Sequence, residues 1–254
     1  GGTNQSVAIS NTNVTKQGYN LVLGASGNAK GFIYNAAGSN FRWSNVDTAG
    51  VSDASINSVY IGTDAGSSLT SGGNNVAIGK EAFRDAVNIS NITAIGKGAG
   101  KSLSDSGANQ NTFVGADAGA SMTHQSKNTA VGYKAAENSY GGTDTAIGYH
   151  ALRFGINVTP STSTDEAMGR VAIGYNAMAG ADQKGVGNIA IGNDAMLQSQ
   201  TTIVGGAIAI GDSAMKNLTA TPGIYQIAIG KRAMLNGSPT QSIAIGFEAL
   251  RDST

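Results

Sequence analysis

A ten-residue phrase recurs along most of this chain. NTAVGYKAAE at 128–137 returns as DTAIGYHALR at 144–153, RVAIGYNAMA at 170–179 and SIAIGFEALR at 242–251. A fixed period means that each copy forms one structural unit and buries its faces against its neighbours. The glycine that follows an Ile or Val anchors eleven copies, at Gly62, Gly79, Gly96, Gly115, Gly132, Gly148, Gly174, Gly192, Gly211, Gly230 and Gly246. Their spacings are 17, 17, 19, 17, 16, 26, 18, 19, 19 and 16 residues. The third residue after the glycine is Ala in all eleven, and the residue two before it is Ala in nine, with Tyr60 and Phe113 the exceptions.

Triplets such as Val76-Ala77-Ile78 and Ile189-Ala190-Ile191 are short, β-branched and bounded by Gly or Asn, which is a strand signal. Side chains alternate faces along a strand, so Val76 and Ile78 point one way and Ala77 the other. The β-branched side is expected to form the core. The glycine marks a turn with a backbone conformation that only Gly adopts cheaply. Two mostly polar positions follow, then the constant Ala and often a large apolar residue: Phe83, Leu152, Met178, Met196, Met215, Met234 or Leu250. That gives a second short apolar segment per copy.

Two short segments and two turns in about 17 residues describe one coil of a β-solenoid. The predicted fold is all-β, a parallel β-roll of about eleven coils of 16–26 residues over 56–254, preceded by a small β-rich capping module at 1–55. Helical repeats have longer periods, and leucine-rich repeats need a Leu and Asn ladder that is absent. A coil this thin leaves its Ala face apolar, and soluble monomers rarely expose a long apolar stripe. Self-association with cyclic symmetry is therefore expected. Its predicted contact is the Ala column: Ala77, Ala94, Ala130, Ala146, Ala172, Ala190, Ala209, Ala228 and Ala244.

Composition narrows the function. Lys and Arg number 16, Asp and Glu also 16, and charged residues are 13% of the chain. Without clustered basic residues, phosphate-backbone binding is not expected, so nucleic acid is excluded as a partner. With no cysteine, disulfides and thiolate metal sites are excluded. No apolar run approaches the length that spans a membrane, so membrane insertion is not expected.

The phrases NNVAIGKEA (74–82), NTAVGYKA (128–135) and NIAIGNDA (188–195) resemble the head repeat of trimeric autotransporter adhesins. The resemblance implies a left-handed parallel β-roll with three chains to a head; the handedness comes from the resemblance alone. A similar repeat occurs in bacteriophage tail fibres, often ahead of a self-cleaving C-terminal chaperone. DTAIGYHAL (144–152), with variable loops around it, is closer to the fibre form than to the shorter, more regular adhesin repeat. The sequence shows no stalk heptads. It ends ALRDST, where a fibre chaperone would be cut away.

The resemblance thus implies a homotrimeric column of a virion tail fibre. Its expected partners are a bacterial cell-surface receptor, polysaccharide or outer-membrane protein, and other fibre segments or a cleaved chaperone. The alternative is an adhesin head on a bacterial cell surface that binds host or matrix ligands.

Two receptor contacts are predicted. Tyr133, Tyr149 and Tyr175 follow the turn glycine in three successive copies and would form an outward ladder. The spacing of 26 between Gly148 and Gly174 leaves about eight extra residues, within 153–170. Solenoids send insertions outward, often on the binding face. The candidates there are Phe154, Asn157, Thr159, Ser161, Thr164, Asp165 and Glu166.

At the other end, SVAIS (6–10) and NLVLGASG (20–27) read as decayed copies, and KGFIYNAAGSNFRWSN (30–45) as a β-hairpin. Catalytic chemistry is not expected. His124 and His150 stand alone in polar stretches, carboxylates are sparse, and the glycine-rich GGNN at 72–75 lacks the Lys-Ser/Thr of a phosphate loop. No cofactor or metal is expected.

Overall fold

The computed structural model describes residues 19–23, 30–35, 40–44, 55–139, 141–153, 169–180, 186–197, 205–217, 225–236 and 241–252. Three strands come first: β1 (Tyr19–Leu23), β2 (Lys30–Asn35) and β3 (Asn40–Ser44). Two two-residue strands, β4 (Ser55–Ile56) and β6 (Gly72–Gly73), pair with each other. Every copy of the phrase then contributes one three-residue strand. These are β5 (Val59–Ile61), β7 (Val76–Ile78), β8 (Thr93–Ile95), β9 (Thr112–Val114), β10 (Thr129–Val131) and β11 (Thr145–Ile147). They continue with β12 (Val171–Ile173), β13 (Ile189–Ile191), β14 (Ile208–Ile210), β15 (Ile227–Ile229) and β16 (Ile243–Ile245).

The eleven repeat strands pair in parallel and in sequence order, with their central residues in register. This is a parallel β-solenoid without helices among the described residues. Eleven strands bound ten intervals, and several return loops fall outside the described residues. The column amounts to about 8 turns rather than the eleven coils expected.

The chain enters through an antiparallel pair, β2 with β3, which is the expected hairpin. β3 then pairs parallel with β5 and joins the ladder. β1 runs antiparallel to β2, so the stretch beginning NLVL is not a decayed rung of the parallel column. SVAIS (6–10) lies outside the described residues. The GGNN stretch begins with strand β6 and forms part of the small second sheet.

Each repeat glycine sits at φ between +127° and +136°. In ten of the eleven, a Cβ would lie 2.3–2.7 Å from backbone atoms of the next turn's glycine. Glycine is thus demanded twice, by torsion and by the close stacking of turns. The second apolar segment is not a strand. Its residues two and four after the glycine adopt left-handed backbone, as at Glu81 (φ 58°) and Phe83 (φ 54°). Such residues carry a steric cost of roughly 1–2 kcal/mol each. Inter-turn hydrogen bonds offset it: Glu81 N–H donates back to Thr63 O (2.7 Å), and Phe83 N–H donates forward to Ala99 O (2.9 Å). The zigzag also turns two consecutive side chains inward, so Ala82 and Phe83 are both fully buried.

The faces of the strands are reversed relative to expectation. The central residue of every repeat strand is buried and the two flanking β-branched residues are half-buried or exposed. The cause is thickness. A turn closes over a three-residue strand, and the space within holds one side chain from the strand centre and two from the opposite segment.

Size is traded across that space. Where the strand centre is Ala, the residue four after the glycine is usually large, as at Met178, Met196, Met215 and Met234, all fully buried. Where the centre is aromatic, glycine stands opposite. A Cβ on Gly66 would meet the Tyr60 ring at 2.5 Å, and one on Gly119 the Phe113 ring at 2.3 Å.

Candidate functional site

The outward side of the eleven strands is the most extensive chemical feature among the described residues. Its 22 positions, two per strand, are all β-branched: 18 are Ile or Val and the other four are Thr93, Thr112, Thr129 and Thr145. None is charged. At about 4.8 Å per rung this makes a flat stripe about 50 Å long and about 10 Å wide. Exposure reaches 37% at Ile95 and 39% at Ile147, and rises to 64% and 68% at Ile243 and Ile245, where no further rung covers β16.

The predicted contact residues lie behind this face. Ala77, Ala94, Ala130, Ala146, Ala172, Ala190, Ala209 and Ala228 have no exposed surface, and Ala244 has 2%. They belong to the interior of a single chain and present nothing to a second one. The Ala column expected as the contact between chains is therefore buried inside one chain, and the outward face of the strands is made of Ile, Val and Thr instead.

On the side wall of the column, Tyr133, Tyr149 and Tyr175 come together as predicted. The Tyr133 and Tyr149 rings stack at 5.3 Å and 25°, and Tyr149 and Tyr175 at 5.1 Å and 6°. Centroid distances of 5.3 and 5.1 Å fall in the range of stacked aromatic pairs, and exposures remain 42%, 43% and 52%. His150 packs on this wall, 3.9 Å from Tyr149 and 5.7 Å from Tyr133, ring to ring. Burial, with the nearby Arg153 charge adding to it, holds its imidazole below the usual value.

Ion pairs lie beside the ladder. Glu137 is held by Lys134 (2.9 Å) and Arg153 (2.5 Å). Burial pushes its carboxyl up, but the hydrogen bonds from Arg153 and Lys134 outweigh that and keep it below the usual range. Two turns further on, Asn176 Nδ2 donates to Asp194 Oδ1 (3.1 Å), and Lys216 pairs with Asp194 Oδ2 (2.8 Å). The remaining predicted candidates, Phe154, Asn157, Thr159, Ser161, Thr164, Asp165 and Glu166, lie outside the described residues.

One feature of the column escapes sequence reasoning. The residue just before the strand forms a buried polar ladder at one corner. Ile92 N–H donates to Asn75 Oδ1 (3.0 Å), Asn128 N–H to Asn111 Oδ1 (2.8 Å), Asp144 N–H to Asn128 Oδ1 (2.9 Å) and Ala207 N–H to Asn188 Oδ1 (2.9 Å). The signal was the fixed place of Asn75, Asn111, Asn128, Asp144 and Asn188 in the phrase. At the exit of the long insertion the ladder changes chemistry. Arg170, 1% exposed, grips Asp144 through Nε (3.1 Å) and Nη2 (2.5 Å) and also donates to Ser139 Oγ (2.9 Å).

Among the described residues no cluster of His, Asp or Glu could hold a metal ion, and no helix is long and apolar enough to cross a membrane. Fold and surface together define a repeat β-solenoid with one flat apolar face and one aromatic wall. No protein-family model, curated protein or solved structure matches the chain.

Proposed function

We propose that this chain is a structural and receptor-binding part of a bacteriophage tail fibre, in which three copies pack into a column that attaches the virion to the bacterial surface. The observation that carries the assembly is the uncharged β-branched face running the length of the ladder. A stripe of this size is rare on a soluble monomer. Three flat faces meeting around one axis cover it completely, and a cyclic arrangement leaves no copy unpaired.

The attachment role is supported by the resemblance of the phrases at 74–82, 128–135 and 188–195 to fibre and adhesin repeats, and by the side wall, which carries exposed aromatic residues that the core does not need. Light scattering and cell-binding assays test the proposal together. The reading expects a mass of three chains and retention on the surface of susceptible bacteria. A single-chain mass overturns the assembly. Binding to animal cells or matrix with none to bacteria replaces the fibre with the adhesin head.

A further inference from the structure

We propose that the Tyr133–Tyr149–Tyr175 wall is a lengthwise site for an extended polysaccharide chain, one sugar per turn of the solenoid; this rests on the attachment reading above. The position after the repeat glycine lies outside the core, and other turns fill it with Lys80, Lys97, Asn193 or Asp212. Packing therefore does not require an aromatic there. Three successive turns nevertheless carry tyrosine, and the row ends at Ala116 on one side and Asn193 on the other.

The exposed part of each ring gives the wall its recognition properties. Each tyrosine keeps 42–52% of its surface exposed, and this unit repeats at the strand spacing of about 4.8 Å. An extended chain of β-1,4-linked pyranoses advances by nearly the same step and offers one C–H face and one set of hydroxyls per sugar. Its C–H faces meet the exposed parts of the rings, and its hydroxyls meet polar groups held in place by ion pairs or a hydrogen bond. Those groups are Lys134 and Arg153, fixed on Glu137, and Asn176, fixed on Asp194. A protein surface without a structural repeat has no such period and would use the row at one point only. A polymer uses every rung, so weak single contacts add along the chain.

The test uses the full chain and β-1,4-linked oligomers of N-acetylglucosamine and of glucose, from the single sugar to the hexamer, with affinity measured by calorimetry. Affinity for one of the two series is expected to rise with each sugar until the three rings are spanned and then to level off. Tyr149→Ala breaks the row at its centre and should weaken the longer oligomers about tenfold, the loss of one stacked ring. The single sugar should be affected far less. Unchanged melting temperature and mass in that variant show that the column is intact.

No binding in either series overturns the inference. So does an affinity independent of length, or one that Tyr149→Ala leaves unaltered. Cell binding and mass are measured on the same samples. An unaltered chain that assembles and binds bacteria but binds neither oligomer series rejects this site alone, whereas one that neither assembles nor binds bacteria rejects the attachment reading itself.

Discussion

The inner and outer sides of the same eleven strands obey opposite rules. Inside, the residue is Ala in nine rungs, and the two aromatic exceptions are each matched by a glycine opposite. Outside, every residue is β-branched, and all are half-buried or exposed. The inner side is thus a solved packing problem, closed within one chain. The outer side has strand-forming, apolar side chains at the surface of the chain, and the proposed assembly assigns another copy to it. Substitutions on the two sides should therefore fail in different ways.

The largest effect is expected at the buried ion pair behind the strands. Asp144→Leu leaves Arg170 buried without its carboxylate and should cost about 3–5 kcal/mol, seen in chemical denaturation. The double change Asp144→Asn with Arg170→Asn should recover most of that loss, because it rebuilds the asparagine ladder found at Asn111 and Asn128.

Next come the inner strand centres. Ala190→Leu overfills a space already shared with Met196 and should cost about 1–3 kcal/mol, read from the denaturation midpoint. Combining it with Met196→Gly copies the arrangement at Phe113 and Gly119 and should return part of the loss. No recovery would show that the two positions do not share one space.

The smallest effect concerns the side wall. The His150 imidazole titrates below its usual value in the folded chain, so the unfolded chain takes up the proton first. Stability should fall as pH drops through about 6.5 toward the folded value. Glu137 adds a second loss at lower pH, since its carboxyl is held below the usual range and its contribution disappears as it protonates. Melting curves across pH should show both steps, and His150→Gln should remove only the first.

Much of the column was legible in the sequence. The period, the turn glycines and the strand triplets follow from residue type and spacing, and the ladder of Tyr133, Tyr149 and Tyr175 follows from register. The orientation of the strands did not. An alternating triplet reads the same from either side, and the habit of placing the bulkier side in the core fails where a turn is too thin to hold it. The correcting signal lay in the exceptions: Tyr60 is followed by Gly66 and Phe113 by Gly119, where seven of the nine copies with Ala at the strand centre carry Phe, Met or Leu. Two positions that trade volume share one interior. The backbone of the second segment was not legible because its left-handed residues include Met, Leu and Phe, whose sequence gives no hint of that backbone. The insertion candidates from Phe154 to Glu166 fall outside the described residues.

The central claim is that the β-branched face joins chains while the Ala column closes each one. It is tested most directly by light scattering on Ile191→Asp with Ile210→Asp, compared with the unaltered chain. The account predicts three chains for the unaltered protein and one for the variant, with the β-sheet circular dichroism preserved. A variant that keeps the mass of three chains would contradict it and place the contact on another side of the column.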